Sequence, residues 1–147
     1  MARLVLDDFI PYRLSVTSNL VSDSIAHTYE SLFGLTIPEW RLIAVIAERD
    51  GVTQQMIGAQ TRMDKVTVSR AAIALVDRGL LARRANVDDR RSHLLDLTAA
   101  GRDLYAAVAP KALALERRIF AHFAPAEVAA FTAMLRRIDA VTLALEE

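Results

Sequence analysis

The sequence predicts a mainly α-helical fold that carries one small two- or three-stranded β-element. Three observations lead there. Long stretches at both ends repeat apolar residues at helical spacing. Residues 36–98 between them hold shorter helical runs separated by tight turns. Within this central stretch a pair of strand-length runs, Leu80 to Ala85 and Ser92 to Leu97, flanks Asn86-Val87-Asp88-Asp89-Arg90-Arg91, a connection rich in turn-forming Asn and Asp.

Each element has a local reason. After an apolar lead-in from Met1 to Leu6, Asp7 or Asp8 is expected to cap a long helix over 7–34, with Pro11 in its first turn and Gly34 at its end. Leu14, Leu20, Val21, Ile25, Tyr29 and Leu32 or Phe33 give that helix its apolar face. Thr36-Ile37-Pro38-Glu39 is a capping-box pattern, and the helix it opens turns Trp40, Ile43 and Ala44 inward before ending near Asp50-Gly51. Val52 is expected to bridge to the β-element. Thr53 caps a short helix, Gln54 to Gln60, with Ile57 and Met56 facing in. Thr61-Arg62-Met63 is a turn. Asp64 caps the next helix, 64–79, where Val68, Ala71, Ala72 and Leu75 form one apolar stripe and Gly79 ends the run. The hairpin spans 80–97. Thr98 then caps a long helix to about Phe123, striped by Leu104, Val108, Leu115, Ile119 and Phe123, which Pro110 is expected to kink. Pro125 opens a last helix to about Leu145, with Val128, Phe131, Leu135, Ile138, Val141 and Leu145 inward.

Two short helices followed directly by a hairpin form a winged helix-turn-helix, a unit that docks on duplex DNA. The face of helix 64–79 opposite its apolar stripe is read as Lys65, Thr67, Ser69, Arg70 and Ile73. Arg and Lys suit guanine edges in the major groove, and Ser or Thr suits several partners. Arg83, Arg84, Arg90 and Arg91 lie on or beside the hairpin, whose exposed tip suits a narrow minor groove. The chain is neutral overall, with 18 basic and 18 acidic residues, yet Arg62 to His93 holds eight Lys/Arg against four Asp/Glu. Positive charge is thus gathered on the proposed DNA face. The competing reading is a winged-helix module that contacts other proteins and no DNA, its charged tip merely solvated.

Composition narrows the remaining classes. A chain of 147 residues suggests one domain. A hydrophobic share of 53% is high for a small monomer and points to apolar surface buried between subunits, as in a homodimer joined by helices 7–34 and 98–146. Two copies would present two reading helices to a pseudo-palindromic site. The absence of cysteine excludes disulfides and thiolate metal sites and fits a cytoplasmic location. No run approaches the ~20 apolar residues of a membrane span, and no secretory signal is recognised. No Gly-rich phosphate loop or nucleophile-base pattern is found, so no catalytic residue, cofactor or metal is expected.

These residues resemble the MarR family of winged helix-turn-helix transcriptional regulators over nearly the whole chain. The resemblance is carried by Leu35-Thr36-Ile37-Pro38-Glu39-Trp40-Arg41, Asp64-Lys65-Val66-Thr67-Val68-Ser69-Arg70 and Asp77-Arg78-Gly79-Leu80-Leu81-Ala82-Arg83. Its most specific segment is Asp88-Asp89-Arg90-Arg91-Ser92 followed by Leu95-Asp96-Leu97-Thr98-Ala99-Ala100-Gly101. The resemblance implies that Arg91 enters the minor groove, that Asp89 braces the tip, and that Lys65, Thr67, Ser69 and Arg70 face the major groove and its phosphates. It also implies a dimer, in most members a repressor, released in many of them by a small phenolic or lipophilic anion. Tyr12, Arg13, His27 and Trp40 are the candidate effector contacts. The chain departs from the oxidation-sensing branch in lacking cysteine, and His27, His93 and His122 lack metal-ligand spacing.

Overall fold

The computed structural model describes residues 2–147; Met1 of the lead-in lies outside the described residues. Six helices and one hairpin follow in order: α1 (Ile10–Phe33), α2 (Ile37–Glu48), α3 (Gln54–Thr61), α4 (Lys65–Asp77), β1 (Leu81–Ala85), β2 (His93–Leu97), α5 (Ala99–Phe120) and α6 (Pro125–Leu145). Two compact units are formed, Met1–Ala112 and Leu113–Glu147, and the division falls inside α5.

Local capping places the helices of the first unit. The Thr36 hydroxyl accepts from the Glu39 N–H at 3.2 Å, and the Glu39 carboxylate accepts from the Thr36 N–H at 2.8 Å, closing the expected capping box. Thr53 caps α3 through the Met56 N–H at 3.1 Å. Asp64 caps α4, accepting from the Thr67 N–H at 2.8 Å. That N–H, foremost, and the Thr67 hydroxyl hold the Asp64 carboxyl below its usual range. The first helix differs from expectation. Asp7 and Asp8 sit in a 3-10 turn (Leu6–Asp8), Phe9 takes the N-cap position without a side-chain bond, and Asp7 pairs with Arg13 at 3.0 Å instead.

The core is built where α2, α3, α4 and the hairpin meet. Leu35, Leu42, Ile43, Ile46, Ile57 and Leu75 are all fully buried there. Side chains of this kind contribute about 1.5–3 kcal/mol each on burial. Val68, Ala71, Ala72 and Leu75 form the buried stripe of α4 as expected, whereas Met56 of α3 faces outward. Its neighbour Ile57 takes the inward place, because successive helical residues point about 100° apart.

β1 and β2 pair antiparallel from Leu81↔Leu97 to Ala85↔His93, and Val52 adds the expected bridge to Leu95. The Thr98 hydroxyl donates to the Gly79 carbonyl at 2.6 Å and accepts from the Gly101 N–H at 3.0 Å. At Gly101 α5 passes so close to the residue that leads into β1 that an added Cβ would lie 2.2 Å from the Leu80 carbonyl oxygen. At the far end of α4, Arg78 donates to the carbonyls of Phe33 (3.0 Å) and Gly34 (3.1 Å), satisfying acceptors that α1 leaves open at its C-terminus.

Outside this core the apolar faces of the long helices are largely uncovered. On α1, Tyr29 is buried but Leu14, Leu20 and Leu32 are exposed. In the second unit α6 has no buried residue: Phe131, Ile138, Val141 and Leu145 are exposed, and Val128 and Leu135 are half-buried. The inward orientation expected of these side chains is therefore not met, because two helical segments alone cannot enclose them. α5 stops at Phe120 rather than Phe123, which lies in the following turn with its ring 6.1 Å from that of Phe120. Pro110 lies inside α5 without ending it. No helix among the described residues is long and apolar enough to cross a membrane.

Candidate nucleic-acid interface

The outward face of α4 is fixed by its buried one. At 100° per residue, Val66, Ser69, Arg70 and Ile73 lie opposite the stripe of Val68, Ala71, Ala72 and Leu75. Val66 is 56% exposed and Ile73 48%. Arg70 is exposed and Ser69 half-buried. Lys65 is exposed on the flank nearer the hairpin, and Thr67 is half-buried on the other flank. Thr67 partly corrects the sequence reading: its hydroxyl donates to the Asp64 carboxylate at 3.0 Å and serves the cap. Val66, absent from the expected face, stands at its centre.

The hairpin separates its arginines. Successive strand residues point to opposite faces. Arg83 pairs in register with Leu95, whereas Arg84 turns to the other side and donates through Nε to Asp96 at 2.6 Å. Arg84 is thus anchored to β2 on the face opposite Arg83, and unlike Arg83 it carries its own counter-ion. At the tip, Asp89 accepts from the Arg91 N–H at 3.0 Å and lies 3.5 Å from Arg91 Nε. The Asn86 side chain accepts from the Asp88 N–H at 3.2 Å and donates to the Ser92 hydroxyl at 2.9 Å. Asp89 therefore does shape the tip. Arg90 and Arg91 are exposed beyond it.

Between the start of α3, the start of α4 and the hairpin lies a cleft of about 710 Å³. Gln54, Gln55, Lys65, Asp89, Arg91 and His93 line it, together with Thr53 and Ser92. Residues distant in sequence thus converge on one concave, basic face. Gln54, Gln55, Ser92 and His93 were not anticipated there; their only sequence signal was their position in the first turn of α3 and at the foot of the tip. Among the described residues Lys65, Arg70, Arg83 and Arg90 enter no ion pair, so their charge is available to an anion. No group of acidic, His or Cys side chains among the described residues has the arrangement of a metal site.

The candidate effector contacts are not brought together. Tyr12 and His27 lie on one helix about 22 Å apart along its axis. Arg13 is paired with Asp7, and His27 is exposed. Only Trp40 joins an organised cluster. It stacks on Tyr105 of α5 with centroids 5.8 Å apart and rings 16° from parallel, and meets Tyr29 of α1, also at 5.8 Å. Burial, first of all, raises the Tyr29 phenol above its usual pKa.

A helix-turn-helix whose second helix turns polar and cationic groups outward, beside a hairpin tipped with arginine, defines a winged helix-turn-helix DNA-binding protein. The MarR family model matches residues 33–92. An uncharacterised protein of Mycobacterium tuberculosis is 32% identical over 105 residues, 71% of this chain and 73% of its own length. A MarR-family transcriptional regulator from Silicibacter pomeroyi superposes with a TM-score of 0.78 at 27% identity, over 93% of this chain and 94% of that one. BpsR of Bordetella bronchiseptica, whose DNA binding is regulated by 6-hydroxynicotinic acid, shares the fold with a TM-score of 0.84 at 22% identity, over 94% of this chain and 98% of that one. The chain belongs to the MarR family of DNA-binding transcriptional regulators.

Proposed function

We propose that this regulator works in the cytoplasm as a homodimeric repressor, without catalytic activity. In this reading α4 enters the major groove, the tip between β1 and β2 reaches the adjacent minor groove, and Lys65, Ser69, Arg70, Arg83, Arg90 and Arg91 supply phosphate and base contacts. The observation that supports it is the convergence of Lys65 and Arg91 on one cleft, with Arg70, Arg83 and Arg90 exposed and free of ion pairs among the described residues, in a chain whose net charge is zero. The dimer is supported, in each unit by itself, by exposed apolar side chains on the long helices, Ile10, Leu20 and Leu32 in the first and Phe131, Ile138 and Val141 in the second. A twofold mate would cover them and space two reading helices about one helical turn, ~34 Å, apart.

A small aromatic anion is the proposed effector class, on the precedent of BpsR. Trp40, the only tryptophan, is its natural reporter. Tyr12, Arg13 and His27 are left as contacts only if a second subunit brings other groups to them.

Titration of a fluorescent duplex bearing a site selected from a random library tests the interface. Arg91→Ala is expected to weaken binding by about 1–3 kcal/mol while sedimentation still reports a dimer. Equal affinity for wild type and variant would remove the tip from the interface. Binding that does not fall between low and moderate salt would favour the protein-contact module instead.

A further inference from the structure

Val66 stands at the centre of the outward face of α4, is 56% exposed, and lies in the first turn beyond the Asp64 cap. Its apolar side chain does nothing for the fold, because the packing stripe of α4 is complete without it. Its neighbours are polar or cationic: Lys65 precedes it on the flank nearer the hairpin, and Ser69 and Arg70 follow one turn later. Thr67, whose methyl could have served equally, lies on the flank by its place in the helix, with its hydroxyl bonded to Asp64. The first turn of α4 therefore offers the duplex one outward apolar group inside a cationic frame.

The floor of the major groove offers one matching apolar group, the C5-methyl of thymine. Ile73 is a weaker match, being about 10 Å further along the axis, where a helix entering by its N-terminal end has left the base edges. We propose that Val66 reads a thymine methyl in each half-site, beside a base contacted by Arg70, so that thymine at that position is required for its methyl and not for its hydrogen-bonding edge. The inference rests on the DNA-binding reading of α4 given above and adds the chemistry of one base to it.

Uracil is the decisive probe, since it keeps every hydrogen-bonding group of thymine and lacks only the methyl. A duplex selected from a random library would be remade with each thymine replaced singly by uracil, and binding measured by anisotropy. Wild type is expected to lose about four-fold in affinity at one thymine per half-site, the worth of burying one methyl-sized group, and little at the others. Val66→Ala is expected to bind the thymine and uracil duplexes equally at that position, with its thermal unfolding unchanged because Val66 is exposed. The wild-type series is informative by itself, whatever the fate of the variant. Sequence-specific binding with no uracil penalty at any position, or a full penalty retained by Val66→Ala, would overturn the inference and leave the DNA-binding reading intact. Failure of wild type to enrich any sequence would overturn both.

Discussion

The base and the tip of the hairpin are made of the same residue types and do opposite things. At the base, Arg84 is held by Asp96, and Asp50 accepts from the Leu97 N–H at 3.1 Å and pairs with Arg102 of α5. Gly101 lets α5 touch the Leu80 carbonyl. These bonds tie the end of α2, both strands and the start of α5 into one body. At the tip, every side-chain hydrogen bond among the described residues spans six residues or fewer, and Val87, Arg90 and Arg91 are exposed. Charges at the base are spent on one another, whereas at the tip Arg90 enters no ion pair among the described residues and Arg91, although 3.5 Å from Asp89, stays exposed to an external partner. The difference lies in where each side chain finds its counter-ion, which residue type alone does not disclose.

The sharpest way to break the base is Gly101→Ala. The added methyl would meet backbone at 2.2 Å, and the Leu97 side chain at 3.1 Å, so α5 or β1 must shift. Overpacking of this kind costs about 1–3 kcal/mol, and contact with a carbonyl that cannot rotate away favours the upper end. The midpoint of urea unfolding reads it. A midpoint equal to wild type would mean that the contact between α5 and Leu80 is not what holds the base.

A milder perturbation is Asp50→Asn, expected to cost about 1 kcal/mol at neutral pH. The Arg102 side chain, first, and the Leu97 N–H hold the Asp50 carboxyl below its ordinary value. The folded pKa is thus depressed, so the stabilisation is complete above the unfolded value, near 3.8, and is lost as pH falls through the folded one. The gap in stability between wild type and Asp50→Asn should therefore be full at pH 6 and narrow below about pH 4. A gap independent of pH would detach the Asp50 charge from the base.

Much of this contrast was legible in the sequence wherever a bond is local. The Thr36–Glu39 box, the caps at Thr53 and Asp64, the buried stripe of α4 and the turn chemistry of Asn86 to Ser92 each depend on residues two to seven apart. What escaped depends on distant partners. Asp50 and Arg102 are 52 positions apart, and Arg84 meets Asp96 only because the hairpin register brings them diagonally together. The alternation of strand residues did carry a signal, since Arg83 and Arg84 could never have faced the same way. Val66 escaped although its angle to Val68 and Leu75 places it outside, as that of Ile73 does. The four effector candidates were chosen by residue type, and helix geometry then set Tyr12 and His27 too far apart to meet.

The smallest stability effect belongs to the tip, and it isolates the comparison best. Asp89→Ala removes the acceptor of the Arg91 N–H and the neighbouring charge at Arg91 Nε. Arg91 is 94% exposed and Asp89 about half so, and an exposed pair of this kind contributes well under 1 kcal/mol. Unfolding of Asp89→Ala should thus stay within about 0.5 kcal/mol of wild type. DNA affinity should nevertheless fall, because an arginine whose backbone is no longer held must lose more freedom on entering a groove, about 0.5–1.5 kcal/mol for such a side chain. Asp89→Asn keeps an oxygen for the Arg91 N–H and should recover most of the loss. If Asp89→Ala instead lowered stability as much as Asp50→Asn does while leaving DNA binding unchanged, the tip would be one more piece of the scaffold, and the division of labour along the hairpin would have to be abandoned.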